Sequence, residues 1–203
     1  PFLSYVLNAL QKGGISSVIL ALSYKYEVIQ EYYGDRYGTM SIQYSVEKTP
    51  LDTGGAIKKA MDELCKNDFV LAINGDTFLE IDYQKFYAFH KLQRADISLA
   101  LSYMENADRY GVVDCDSSHK VLCFHEKKHK QAGYINGGNY IVSTNSLQDF
   151  PTNTKFSFEK DILEKKVSQY KVAGFKTNGY FIDIGIPKDL QKAQLQMKDN
   201  FIC

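Results

Sequence analysis

Apolar residues return every three or four positions at the start of the chain, where Phe2, Val6, Leu7 and Leu10 share one side of PFLSYVLNALQKGG. That period predicts an amphipathic helix, and Gly13-Gly14 predicts its end. The next stretch, SSVILALS (16–23), is continuously apolar and predicts a buried strand. Helical spacing resumes in KYEVIQEYYGD, with Val28, Ile29, Tyr32 and Tyr33 as the candidate inward face. SIQYSVEK (41–48) alternates as a strand does, and TGGAIKKAMDELCK (53–66) predicts a helix entered through two glycines. FVLAINGD returns to a strand, apolar on both sides and so expected at the centre of a sheet between helical layers. DYQKFYAFHKLQ (82–93) predicts another helix and DISLALSYM (96–104) another strand. Strands and helices that alternate in this way predict a parallel sheet with helices on both faces and right-handed crossovers.

The second half changes character. YGVVDCDSS, KVLCFHEK and GYINGGNYIVS read as strands joined by short polar turns, a pattern of antiparallel pairing. FSFEKDILEKKV predicts a helix, YKVAGFKT and GYFIDIG predict strands, and PKDLQKAQLQMKDN predicts a closing helix. No low-complexity run or Pro/Ser-rich linker divides the halves, so the expectation is one α/β domain over 1–203 with a mixed sheet.

Composition narrows the function classes. Lys plus Arg and Asp plus Glu balance at 24 each, so no basic field suggests nucleic acid and no polybasic surface suggests a membrane. The longest apolar runs are far too short to span a bilayer, and no secretory signal opens the chain, which makes the cytoplasm the default location. The four cysteines, at 65, 115, 123 and 203, have neither the density of a disulfide scaffold nor the spacing of a zinc site. His119, His125 and His129 fall in one segment, but no acidic third ligand stands in helical register with them.

Candidate chemistry begins with Asp76. VLAINGDTF delivers this carboxylate at or just past the carboxyl end of a strand, where open α/β sheets bind ligands. Asn74-Gly75-Asp76 equally suits a plain turn. YFIDIGIPKDL repeats the device, with Asp183 delivered beside glycine. Asp183 lies too early to cap the helix that follows, because Gly185 and Pro187 intervene. Two carboxylates brought together resist ionising simultaneously. A Mg²⁺ ion resolves that repulsion and typically takes one or two protein carboxylates plus substrate phosphates. TGGA at 53–56 places two glycines at a helix entrance, where backbone N–H groups can approach a ligand. HEKKHK pairs Glu126 with a lysine run, and INGGNY sets glycines inside a strand, which marks a bulge or a close backbone approach.

Taken in order, PFLSYVL, PLDTGGAIKKA, VLAINGDTF, YGVV, FHEK, INGGNYIV, FSFEKDIL and GYFIDIGIPKDLQKAQ resemble the sugar-1-phosphate nucleotidyltransferases, or NDP-sugar pyrophosphorylases. Within that family the chain looks most like the D-glycero-α-D-manno-heptose 1-phosphate guanylyltransferases. The resemblance implies a Rossmann-like three-layer α/β/α sandwich with a mixed, mostly parallel central sheet. It implies that Asp76 and Asp183 bind a catalytic Mg²⁺ and that Thr53, Gly54 and Gly55 lie along the base and ribose of a nucleotide. Gly111, Glu126 and Asn136 would line the sugar, and Lys127 would meet the sugar phosphate. The partners it implies are a nucleoside triphosphate, GTP above all, and a sugar 1-phosphate, in an enzyme that can be a homo-oligomer.

Two departures from the family pattern stand out. Asp52 occupies a position where relatives commonly have glycine. The family's opening strand and Gly-rich phosphate loop are not found after Pro1, and the expectation is that they lie before it. A mannose- or glucose-1-phosphate nucleotidyltransferase and a non-catalytic sugar-nucleotide-binding subunit are the rival readings. A redox Rossmann enzyme is disfavoured, since the chain has no Gly-x-Gly-x-x-Gly.

Overall fold

The computed structural model describes residues 1–125 and 132–200. Helix α1 (Phe2–Lys12) buries Val6, Leu7 and Leu10 and ends at Gly13. It leads into β1 (Ser17–Leu22), α2 (Tyr26–Tyr33), β2 (Arg36–Tyr37) and β3 (Met40–Val46). Helix α3 (Asp52–Leu64), β4 (Phe69–Ile73), β5 (Thr77–Leu79), α4 (Tyr83–Gln93) and β6 (Ile97–Met104) follow. The second half contributes β7 (Val113–Cys115), β8 (Val121–Phe124), β9 (Gly133–Ser143), β10 (Val172–Thr177), β11 (Phe181–Asp183) and α5 (Pro187–Asn200).

Among the described residues the strands form a three-stranded sheet, β1-β3-β2, a four-stranded sheet, β10-β6-β9-β4, and two ribbons, β11-β5 and β7-β8. The mixed sheet is present, with a larger antiparallel share than expected. Parallel pairing joins β1 to β3 and β10 to β6, while β9 runs antiparallel between β4 and β6. The long β9 strand returns directly from a hairpin region instead of through a helical crossover, and direct returns of that kind pair antiparallel.

Both faces of the four-stranded sheet are covered. Ile97, Leu99 and Leu101 of β6, with Tyr140 and Val142 of β9, pack against Met61 of α3 and against Phe158, Ile162 and Leu163. The alternate residues, Ala100 and Ile141, meet Phe86 of α4 on the other face. That period-two division of one strand between two helical layers is what makes the three-layer sandwich. Ser98, buried on the α4 side, hydrogen-bonds His90 Nδ1 at 2.9 Å, so its hydroxyl is satisfied.

Four expectations are corrected here. Among the described residues β4 pairs only with β9, and all five of its residues are half-buried, so it is less covered than its apolar run predicts. β1 likewise pairs only with β3 and is partly exposed. On α2 the inward face is narrower than the pattern suggests: Tyr33 is buried and Ile29 half-buried, while Val28 and Tyr32 are 62% and 63% exposed. Finally, FSFEKDIL forms a π-helical segment, Phe158–Glu164, wider than the α-helix its spacing implies. Such segments occur often at functional sites.

These packing differences set a direct test. Leu99→Ala removes a side chain with no exposed surface and is expected to cost about 2–5 kcal/mol. Val28→Ala on the outer face of α2 is expected to stay within about 0.5 kcal/mol. Urea denaturation of the two variants in the full-length protein checks both, and equal costs would refute the assigned faces.

Candidate active site

β4 ends at Ile73, and the chain turns through Asn74, Gly75 and Asp76 into β5. The loop is anchored below by the Asn74 N–H, which donates to the Gly138 carbonyl at 2.9 Å. β5 then pairs antiparallel with β11, with Thr77 opposite Asp183. The ladder runs one step further, because the Ile184 N–H donates to the Asp76 carbonyl at 2.9 Å. Two residues far apart in sequence, Asp76 and Asp183, are thereby set next to one another.

The electrostatics register that approach. Asp76 as a residue reaches solvent, yet its carboxyl pKa is raised, first by desolvation and then by the charges of Asp183 and Glu159. Asp183 accepts a hydrogen bond from the Gly185 N–H at 2.7 Å, which orients one of its oxygens just before α5 begins at Pro187. Arg109 stands 3.9 Å from its other oxygen and pairs closely with Asp189 of α5. Burial, followed by the charge of Asp183, pushes the neighbouring Tyr110 hydroxyl up to about 12. A cleft of about 330 Å³ opens here, lined by Arg109, Tyr110, Phe181, Asp183, Asp189 and Lys192 among others. A larger depression of about 420 Å³, lined by Lys58, Asp62, Lys66 and Asp68, lies at the opposite end of β4 from the two carboxylates.

INGGNY forms the floor. Where β6 runs from Leu99 to Leu101, β9 runs from Tyr140 back to Asn136, so the glycines lie in a β-bulge. Gly138 has a φ of +71°, and a Cβ there would come within 2.6 Å of the Thr77 hydroxyl. The bulge therefore lets the strand press directly against the loop that carries Asp76. Asn136 is tied down at both ends. Its Nδ2 donates to the Tyr140 hydroxyl at 2.8 Å, and its Oδ1 accepts from the Gly138 N–H at 3.0 Å.

The same network reaches Thr53. The buried Tyr140 hydroxyl donates to Glu159 at 3.0 Å, and the Thr53 hydroxyl donates to the other Glu159 oxygen at 2.6 Å. Glu159 is the residue that reading the sequence missed. In FSFEKDIL it alternates with a lysine like any solvated helix face, and only the π-turn aims it at Tyr140, Thr53 and Asp76. Gly54 and Gly55 are buried, and their N–H groups donate to the Phe156 carbonyl at 3.0 and 3.2 Å. A Cβ on Gly54 would lie 2.3 Å from the Phe156 ring, so the close approach that glycine permits here is to the chain's own 154–156 segment. Asp52 has a φ of +58°, the left-handed region glycine favours.

Gly111 lies against the His125 carbonyl, 2.6 Å from where its Cβ would be. Val112 bridges Ile135, the neighbour of Asn136, so Gly111 and Asn136 come from adjacent strands. Glu126 and Lys127 lie outside the described residues.

A carboxylate in the loop that follows a strand lies where open α/β sheets bind ligands. The chain belongs to the nucleotidyl transferase family, whose sequence model matches residues 1–200. It is 46% identical over 198 residues to the D-glycero-alpha-D-manno-heptose 1-phosphate guanylyltransferase of Aneurinibacillus thermoaerophilus, covering 98% of this chain and 85% of that protein. The Campylobacter jejuni protein of the same name is 45% identical, over 93% of this chain and 82% of its own length. Among solved structures, HddC from Yersinia pseudotuberculosis superposes with a TM-score of 0.87 at 36% identity, over 97% of this chain and 85% of that one. Its complex with GMP-PN matches with a TM-score of 0.85.

The raised pKa of Asp76 gives a pH prediction. Its folded value lies above its unfolded one, so folding takes up a proton between the two, and stability falls as pH rises through that interval. In the presence of EDTA, Asp76→Asn is expected to raise the urea midpoint at about pH 7 and to leave it unchanged at about pH 3, where the wild-type carboxyl is already protonated. A midpoint lowered at neutral pH in the full-length protein would show that neither burial nor Asp183 destabilises the Asp76 carboxylate.

Proposed function

We propose that this protein transfers a guanylyl group from GTP to D-glycero-α-D-manno-heptose 1-phosphate, giving the GDP-heptose and pyrophosphate. The observation that carries this reading is the pairing of β5 with β11, which sets Asp76 beside Asp183 with a raised Asp76 pKa. The choice of base and sugar rests on the names of the two relatives that are 46% and 45% identical. The mannose-1-phosphate guanylyltransferase of Mycobacterium tuberculosis is 30% identical and is covered over 56% of its length, which makes mannose 1-phosphate the weaker candidate.

In this reading a phosphate oxygen of the sugar 1-phosphate attacks the α-phosphorus of the triphosphate in line, and pyrophosphate leaves. The attacking group is already an anion, so no general base is needed. Positioning and charge neutralisation are the main requirements. Asp76 and Asp183 would hold Mg²⁺. Their mutual repulsion fits a divalent cation, which would supply neutralisation of phosphate charge. Thr53, Gly54 and Gly55 would lie along the nucleotide. Gly111, Asn136 and Glu126 would contact the sugar, with Lys127 at its phosphate. Glu159 would hold Thr53 and Tyr140, and through Tyr140 Asn136, in one fixed arrangement. A sugar lacking a matched hydroxyl would leave polar groups in this network unpaired, which is the basis of discrimination.

The reading also carries one more strand. Among the described residues β1 and β4 each have an unpaired edge, and Leu20 of β1 shares a core with α1 against which Leu71 and Ile73 of β4 pack. We propose that the strand preceding a Gly-rich phosphate loop pairs between these edges. Residues 1–203 expressed alone are then expected to unfold without a cooperative transition and to release no pyrophosphate. A stable, active product would refute this part.

In the intact enzyme, Asp183→Asn is expected to lower turnover on the order of 10²-fold or more while the protein remains folded. Pyrophosphate release across a panel of triphosphates and sugar 1-phosphates checks the substrate pair. A preference for another base or for mannose 1-phosphate would overturn the assignment. Glu126→Ala is expected to raise KM for the sugar phosphate far more than for GTP.

A further inference from the structure

The hairpin of β7 and β8 carries three metal-ligating side chains on its outer face. Asp114 on β7 pairs in register with Cys123 on β8. His125, two residues beyond Cys123 in extended chain, projects on the same side, and its N–H continues the ladder by donating to the Val112 carbonyl at 2.8 Å. Val113 of β7 and Val121 of β8 point the other way, into the main core. His125 Nε2 lies 2.6 Å from Asp114 Oδ2 and 3.4 Å from Cys123 Sγ, and Sγ lies 3.9 Å from the same carboxylate oxygen.

We propose that Asp114, Cys123 and His125 bind a Zn²⁺ ion, with water in the fourth position. Tetrahedral zinc with ordinary bond lengths to sulfur, nitrogen and oxygen holds those atoms about 3.3–3.6 Å apart. The sulfur–nitrogen distance already matches, and the other two bracket the range. One thiolate, one imidazole and one carboxylate make a mixed ligand set that suits zinc better than the oxygen-only preference of magnesium. The approach is open, since the Asp114 and His125 side chains are 54% and 36% exposed.

The same three groups could suggest a Cys-His-Asp nucleophile. Burial and the Asp114 charge hold the Cys123 thiol above its ordinary pKa, opposite to what a reactive cysteine requires. A bound cation displaces that proton to solvent, leaving a thiolate ligand. The spacing rules that find zinc sites in sequence do not find this one, because the third ligand arrives across a hairpin. The consequence is local. Zinc would pin His125, whose carbonyl packs on Gly111 and whose successors are Glu126 and Lys127. That link to the sugar site rests on the proposed function, but zinc binding itself does not.

The test uses the intact full-length protein, stripped with chelator and titrated with Co²⁺ and then Zn²⁺. One Co²⁺ is expected in this thiolate site, read from a thiolate-to-metal charge-transfer band and tetrahedral visible bands that Zn²⁺ abolishes. Cys123→Ser is expected to remove the charge-transfer band. His125→Ala and Asp114→Asn are each expected to weaken binding at least about tenfold. Asp114 is exposed, so its variant tests ligation without disturbing the core. Asp183→Asn is expected to keep the band, which separates this site from the carboxylate pair of the cleft. Absence of a saturable cobalt band, or a band that survives Cys123→Ser, would overturn the proposal whatever the enzyme assay shows.

Discussion

Thr77–Leu79 and Phe181–Asp183 form a ladder of three residue pairs that ties together segments about a hundred residues apart. Closing so long a loop for so few backbone hydrogen bonds is unfavourable by itself. The surrounding core makes up the difference: Phe78 and Ile182 at the middle of the ladder are buried against α1, β3 and α5. The ladder places Asp183 one residue from the level of Asp76. Burial first, and then the charges of Asp183 and Glu159, raise the Asp76 carboxyl pKa. A fold that accepts this cost has a ready site for a positive charge.

The floor under that pair is equally constrained. The β9 bulge brings Gly138 against Thr77 and gives Asn74 a carbonyl to bond. From the bulge outward, Asn136, Tyr140, Glu159 and Thr53 form one chain of hydrogen bonds across β9, the π-turn and the start of α3. Burial, with the Glu159 charge behind it, holds the Tyr140 hydroxyl well above its ordinary pKa, so it stays a donor to that carboxylate. Chains of this kind are rigid when every member is satisfied. Three segments remote in sequence therefore share one geometry.

Much of this was legible in advance. The strand-loop-carboxylate pattern of VLAINGD and YFIDIG marked Asp76 and Asp183, and INGGNY announced its bulge through glycines inside a strand. The helices α1, α3 and α4 follow the periodicity of their apolar residues closely. Less legible were features in which one segment answers another. Glu159 looks like a surface charge until the π-turn directs it inward. The glycines of TGG give no local sign that Phe156 packs upon them. Asp114, Cys123 and His125 have no recognisable spacing because a hairpin register brings them together.

The sequence by itself determined which residues alternate, which run apolar and where carboxylates and glycines interrupt strands, since local periodicity and turn chemistry need only near neighbours. The tertiary structure alone decided pairing: that β4 takes β9 as its antiparallel neighbour, that α2 turns Val28 and Tyr32 outward, and that β11 meets β5. Pairing of remote strands is chosen by the summed burial of side chains that no single segment contains, so it appears only when the whole chain is folded.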